Sequence, residues 1–419
     1  MEHRFADPAR GGLPERVTAW QRAKFGMFVH WGLYAIPARG EWVQFGDGAP
    51  AEEYGQYAPR FDPTGFDAAA WVALAKAAGQ RYLVVTAKHH DGFCMWDTAL
   101  TDYNIVKATP FGRDPIAELA VECERQGIAF GVYYSVKDWH HQDYPTRYTY
   151  RTKRHPDGFH GRPKADPDFM RYLDYMRGQL RELMTNYGRI GALWFDWYGD
   201  AFEREDERER AAEIIAMVRE LQPGCVVNDR LGGVGADFAT SEQTIPGSGG
   251  TRPFEVCMTV GDGWGYDPDD AVKDGPTLIR NLVDVVGKGG NYLLNVGPCD
   301  KGLIREGDAE SIREVGRWLA VNGEAVFGTA GGPSMRWETN LAAVTRRPGK
   351  EYLHVDDWPD DGRVFYNDFP HRLERAYLLA DPAQTPLQVD LHHRSVMIHV
   401  PAEPPDPVDS VIVLDYEDH

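Results

Sequence analysis

No stretch of the 419 residues approaches the roughly 20 consecutive apolar residues that a membrane-spanning helix needs. Basic residues are scarce relative to acidic ones, 45 against 64, for a net charge of −19. An acidic surface repels nucleic acid and anionic membranes, so neither is expected as a partner. Cysteine is sparse too. Cys94, Cys123, Cys225, Cys257 and Cys299 are odd in number, scattered and without C-x-x-C spacing. They are expected to be reduced, mostly buried thiols in a reducing compartment. The first 17 residues, MEHRFADPARGGLPERV, hold no apolar core, so no signal peptide is expected and the expected location is the cytoplasm. There is no internal repeat and no low-complexity tract. Aromatic residues, by contrast, are plentiful, with 12 Trp and 20 Tyr. Together with the acidic balance they suit a neutral ligand such as a sugar, on whose C–H faces aromatic rings stack. A homo-oligomer is left open.

Short apolar runs alternate with amphipathic segments, the pattern of βα units around a parallel sheet or barrel. The runs at 24–32, 81–88, 128–135, 190–196, 225–230, 254–260 and 291–296 are expected as strands, with 325–329 a weak eighth. Helices are expected at 66–78, 115–126, 167–187, 203–222, 275–286 and 308–321; the third carries seven apolar residues on one face at helical spacing. The Gly-, Ser-, Thr- and Pro-rich stretch 231–253 is expected as a long functional loop. After residue 330 short β-type runs separated by Pro, Asp and Gly replace the alternation. The expected fold is therefore a (β/α)8-like barrel over residues 1–329 with a small C-terminal β-sandwich over 330–419.

Active sites of parallel barrels lie at the C-terminal ends of the strands. The residues there are His30, Trp31, His89, His90, Asp91, Tyr133, Tyr134, Asp138, Asp196, Asn228, Asp229 and Arg230. Asp196 is notable because it closes the apolar run Ile190–Phe195 between aromatic neighbours, and a carboxylate in such a place needs a partner, a shifted pKa or a job. His89 and His90 can face one site only if the strand breaks there, as Asp91-Gly92 suggests. Two chemistries fit. One is a metal-dependent hydrolase with His30, His89 or His90 and Asp196 as zinc ligands, although H-x-H, H-E-x-x-H and C-x-x-C are all missing. The other, preferred, is glycoside hydrolysis by two carboxylates without metal or other cofactor.

Phe25-Gly-Met-Phe-Val-His-Trp-Gly-Leu-Tyr34, Gly40-Glu-Trp42, Thr86-Ala-Lys-His-His-Asp-Gly-Phe-Cys-Met-Trp96, Leu193-Trp-Phe-Asp196, Asn228-Asp-Arg230, Trp264-Gly-Tyr266 and Lys288-Gly-Gly-Asn-Tyr-Leu-Leu-Asn-Val-Gly-Pro298 resemble the motifs of the retaining α-L-fucosidases, glycoside hydrolase family twenty-nine. They run in family order over about residues 20–330. The resemblance implies exo-hydrolysis of terminal α-L-fucose through a covalent intermediate on Asp196. In the pattern Asp237-Phe-Ala-Thr-Ser-Glu242 it implies Glu242 as general acid/base, with Glu255 the fallback. It implies a sugar-contacting shell of His30, Glu41, Trp42, His89, His90, Tyr134, Trp194 and Arg230, with Arg230 pairing with Glu242 or Asp196. Sequence does not settle which of Tyr133 and Tyr134 faces the site. Trp197 departs from the family, which usually has Gly after the nucleophile. Three alternatives stay open: another fucose-like glycone such as L-galactose, a sugar-binding protein without turnover, and the metal-dependent hydrolase.

Overall fold

The computed structural model describes residues 12–144, 168–196, 202, 204–332, 341–367 and 369–417. Trp197 and most of the polar loop before the third expected helix lie outside these residues. Eight parallel strands form one curled sheet: β1 (Phe25–Val29), β2 (Tyr82–Lys88), β3 (Ala129–Ser135), β4 (Ala192–Asp196), β5 (Val226–Val227), β6 (Ala239–Glu242), β7 (Phe254–Thr259) and β8 (Asn291–Val296). Their order is β5-β4-β3-β2-β1-β8-β7-β6, and the two edges meet at a single bridge between Asn228 and Phe238. The fold is thus the expected (β/α)8-like barrel, nearly open on one side.

Local chemistry accounts for the helices. Asp67, Asp114, Asp168 and Asp274 each accept a hydrogen bond from a backbone N–H of the first turn, at Ala68–Ala77, Pro115–Gln126, Phe169–Asn186 and Gly275–Gly287. Proline occupies the first turn of the second and fourth, where no backbone donor is lost. The second stops at Gly127 in the left-handed conformation.

Two strand expectations need correction. The stretch 231–253 is not structureless, because β6 lies within it and pairs with β7 from Ala239↔Phe254 to Glu242↔Cys257. The polar run Ala-Thr-Ser-Glu has none of the β-branched apolar pattern that marks a buried strand, so its only signal is the register its neighbour imposes. The weak eighth strand at 325–329 is not a strand. A short 3-10 turn, Gly323–Ala325, occupies its start, and Thr329 Oγ1 donates to the Val326 carbonyl at 2.7 Å. The runs at 254–260 and 291–296 are therefore β7 and β8.

The barrel interior is filled by Phe28, Tyr82, Val84, Tyr133, Trp194, Phe238, Cys257 and Leu293. Trp20, on the helix Glu15–Ala23, stacks on Phe238 at 4.2 Å and plugs the N-terminal end. Four of the cysteines are buried and all five are free thiols.

The second region carries only strands among its described residues: β9 (Ala330–Gly331), β10 (Ala343–Arg347), β11 (Lys350–Val355), β12 (Arg363–Tyr366), β13 (Arg372–Leu378), β14 (Val389–His392), β15 (Ser395–His399) and β16 (Ser410–Glu417). They form an antiparallel sheet β13-β16-β11-β10-β9 and a second one β12-β15-β14. Leu353, Ile412 and Leu414 of the first sheet pack against Val364, Val396 and Ile398 of the second, the core of a small sandwich. It is tied to the barrel by Trp318, whose indole N–H donates to the Asp409 carbonyl at 3.0 Å.

Candidate active site

The strands aim their C-terminal ends at one cavity of about 480 Å³, lined by Phe28, His30, Glu41, Trp42, His89, His90, Tyr133, Lys137, Trp194, Asp196, Arg230, Glu242 and Trp264. Nine of the ten residues singled out from the sequence meet there. Tyr134 does not.

Strand parity explains the exception. Ser135 is level with Asp196, Tyr133 with Trp194, and Tyr134 with Phe195. Successive side chains point to opposite faces, so Tyr133 shares the inward face with Trp194 and Asp196 while Tyr134 points outward. The Tyr134 hydroxyl donates to Gln179 Oε1 at 2.7 Å on the covering helix, and its ring lies 4.4 Å from the Lys88 ammonium. Tyr133 instead donates to Asp196 Oδ2 at 2.8 Å and stacks on Trp194 with 5.7 Å between ring centres. Replacing Tyr133 by Phe is expected to move the acid limb of the kcat/KM–pH profile upward, because the ionised carboxylate loses a donor and its pKa rises. Tyr134→Phe should leave that limb in place, and pH–rate profiles of the two variants check this.

Asp196 has both oxygens engaged. Oδ1 accepts from Arg230 Nη1 at 2.9 Å, and Oδ2 accepts from the Tyr133 hydroxyl. Burial alone would raise its pKa, but the Arg230 charge and the Tyr133 hydroxyl outweigh it and hold the carboxyl below its ordinary range. The same guanidinium donates through Nη2 to Glu242 Oε2 at 2.7 Å. Arg230 therefore pairs with both carboxylates rather than one of them. It is only 7% exposed, while the Glu242 side chain is 30% exposed, placing Glu242 towards solvent.

The three histidines are held neutral. Burial drives His30 down to about 4, and lowers His89 and His90 well below the usual value. Their tautomers follow from the neighbours. Asn295 gives its amide N–H to the Trp264 carbonyl at 2.7 Å, so its Oδ1 accepts from His30 Nδ1 at 2.7 Å. Ser135 donates to the Lys137 carbonyl at 2.8 Å and accepts from His90 Nδ1 at 2.6 Å. Both rings are left with Nε2 as acceptor. His89 Nδ1 is buried with no partner among the described residues. The break expected after His90 is real. β2 ends at Lys88, a turn closes from the Gly92 N–H to the His89 carbonyl at 3.1 Å, and Gly92 has φ +76°. A Cβ there would fall 2.4 Å from Asp138 Oδ1, so only glycine lets both imidazoles turn inward.

Glu41 is buried and accepts from the Gly265 N–H at 2.9 Å; burial raises its carboxyl pKa. Trp42 packs edge-on to His90 at 5.1 Å. Glu255 lies beneath the cavity rather than in it. It accepts from Trp194 Nε1 at 2.9 Å and from Tyr82 at 2.5 Å, and burial pushes it up to about 7.

Phe28, Tyr133, Lys137 and Trp264 also line the cavity without having been assigned there from the sequence. Parity counting from Asp196 could have found Tyr133, and Trp264 stood in the Trp-Gly-Tyr motif. Lys137, lowered to about 8 by burial, follows β3 with no sequence signal.

His89, His90 and Asp196 have potential ligand atoms within 4.8 Å of one another. They fit a dication poorly. Asp196 already receives Arg230 and Tyr133, and the cations Arg230 and Lys137 share the cavity with it. Neutral imidazoles, a buried carboxyl and aromatic walls suit an uncharged polyol instead. A carboxylate pair in a barrel's C-terminal mouth defines a glycoside-hydrolase type of site.

The α-L-fucosidase family model matches residues 10–324, and the chain belongs to that family of glycoside hydrolases. It is 30% identical over 399 residues to human plasma α-L-fucosidase, covering 86% of this chain and 80% of that protein. α-L-Fucosidase isoenzyme 1 from Paenibacillus thiaminolyticus is 39% identical with a TM-score of 0.87, covering 96% of this chain and 99% of the other. A family 29 α-L-fucosidase from Bacteroides thetaiotaomicron, solved as a covalent intermediate trapped with 2-fluoro-fucosyl fluoride in a Glu-to-Gln mutant, is 27% identical with a TM-score of 0.84. That match covers 100% of this chain and 98% of the other.

Proposed function

We propose that the protein is a retaining exo-α-L-fucosidase in which Asp196 is the nucleophile and Glu242 the general acid/base. The observation that carries this reading is the single guanidinium that joins the two carboxylates at the mouth of an aromatic-walled cavity. Such a bridge is compatible with the close pair, about 5–5.5 Å apart, that retaining enzymes use. The trapped intermediate of the Bacteroides relative supports the same double displacement.

In the first step an Asp196 oxygen attacks the anomeric carbon. The C1–O bond to the aglycone breaks, and the departing oxygen takes the Glu242 proton. In the second step Glu242 removes a proton from water, whose oxygen attacks C1 and releases Asp196 as carboxylate. The sugar leaves with its original anomeric configuration. Keeping Asp196 ionised is the contribution of Arg230 and Tyr133. Glu242, at the solvent side, can exchange protons with water between steps. The acceptor nitrogens of His30 and His90 are suited to sugar hydroxyls. Phe28 and Trp264 supply an apolar wall suited to the C5 methyl group.

Purified protein should hydrolyse an aryl α-L-fucoside and release α-L-fucose first, as followed by proton NMR before mutarotation. Excess EDTA should leave the rate unchanged. A first product of β configuration, or activity lost to chelation and restored by zinc, would refute the proposal. A reducing, cytoplasmic setting fits the five free thiols.

A further inference from the structure

At the opposite end of the barrel, where β7 and β8 begin, an open cleft of about 1130 Å³ separates the barrel from β9 of the second region. Four of its lining side chains are cationic, Arg22, Lys24, Arg252 and Lys288, and none is Asp or Glu. In a chain of net charge −19 this local excess of one sign is anomalous. Lys288 has a neighbouring carboxylate, Asp284, at 2.9 Å. Lys24 has none among the described residues. It is 2% exposed, and its ammonium makes one long hydrogen bond, 3.4 Å, to the Gly289 carbonyl. Burying an ammonium without a counter-ion is costly, and here the burial lowers its pKa to about 8. Lys24 also sits at φ +60°, an unfavourable conformation for a residue with a side chain. Charge and strain at one residue facing a cleft are the marks of a position kept for a ligand.

The walls suit an anion. Gly249 packs flush on the segment around Lys288, since a Cβ there would fall 2.4 Å from the Lys288 carbonyl oxygen. The N–H groups of Gly249, Gly250 and Thr251 have no acceptor among the described residues. Backbone amides of glycine-rich turns beside cations recur where phosphate-like groups bind.

We propose that this cleft binds a tetrahedral oxyanion, either free phosphate or sulfate or the same group on a small ester, with Lys24 at its floor and Arg22, Arg252 and Lys288 at its rim. The anion would clasp the barrel to the second region, remote from the Asp196 cavity, and none of these side chains takes part in hydrolysis.

Calorimetric titration of the full-length protein with inorganic phosphate, pyrophosphate and sulfate, at ionic strength matched with sodium chloride, tests this. Saturable binding is expected, and a parallel titration with glycerol phosphate separates the sources: tighter binding than inorganic phosphate marks an ester, weaker binding the free anion. Lys24→Met should weaken binding at least about tenfold and Arg252→Gln about threefold, with aryl fucoside turnover retained as the sign that both variants fold. Unchanged affinity in Arg252→Gln decides against the proposal even if Lys24→Met does not fold. Absence of binding, or a response that chloride reproduces, also overturns it.

Discussion

Asp196→Gly is expected to lower kcat/KM for an aryl α-L-fucoside by about 10⁴-fold or more while leaving the fold intact. The size follows from the chemistry. Without the carboxylate no glycosyl ester forms, and the remaining polar groups can only bind the sugar and soften the charge that develops at C1. Packing should suffer little, because Asp196 ends its strand at the cavity and its side chain is 17% exposed. Arg230 keeps Glu242 as a partner in the variant. The gap left by the side chain admits a small external nucleophile, so azide should restore turnover and yield a fucosyl azide of inverted configuration. Near wild-type turnover in the variant would sink the nucleophile assignment. Loss of activity that azide does not rescue would indicate that Asp196 acts by holding Arg230 and Tyr133 in place instead.

Glu242→Gln should give the second large effect, about 10²–10⁴-fold in kcat on a substrate with a poor leaving group. The amide oxygen can still accept from Arg230, so the geometry survives while the transferable proton is gone. With a leaving group as stable as dinitrophenolate, the first step needs no acid and the loss in kcat/KM should shrink to under about tenfold, while kcat stays low because the second step still lacks its base. That dependence on leaving group separates an acid from a residue that merely orients Arg230. Glu255→Gln provides the contrast. Its oxygens accept from Trp194 and Tyr82 in the barrel interior, bonds that an amide oxygen can partly keep, and its position is remote from the departing oxygen. Its kcat/KM should depend on leaving group no more than the wild type does. A strong dependence there and none at Glu242 would exchange the two assignments.

Much of the site was legible because chemistry-bearing residues sit at the ends of apolar runs. His30, His89, His90, Asp196 and Arg230 all follow strands that composition alone marks out. Glu242 was legible only through its resemblance to a family pattern, since its strand is polar and its own context reads as a solvated loop. The family resemblance points to Tyr134, but Tyr133 and Tyr134 are adjacent and both aromatic, so sequence leaves open which of them faces the site. The parity that separates them needs a fixed point on the same face, which the register with Trp194 and Asp196 supplies.

The sequence by itself determined the alternation of strand and helix, the caps that start the helices, the acidic balance of charge, and the change of texture near residue 330. These are local properties, written in periodicity and in residues a few positions apart. Only the tertiary structure decided that β6 exists and brings Glu242 to the cavity, that one guanidinium serves both carboxylates, and that Glu255 stays beneath them. The orphaned charge of Lys24 belongs to the same group. Each depends on pairings between segments far apart in the chain, whose register is set by closing the sheet and packing its interior, and no local pattern encodes that closure.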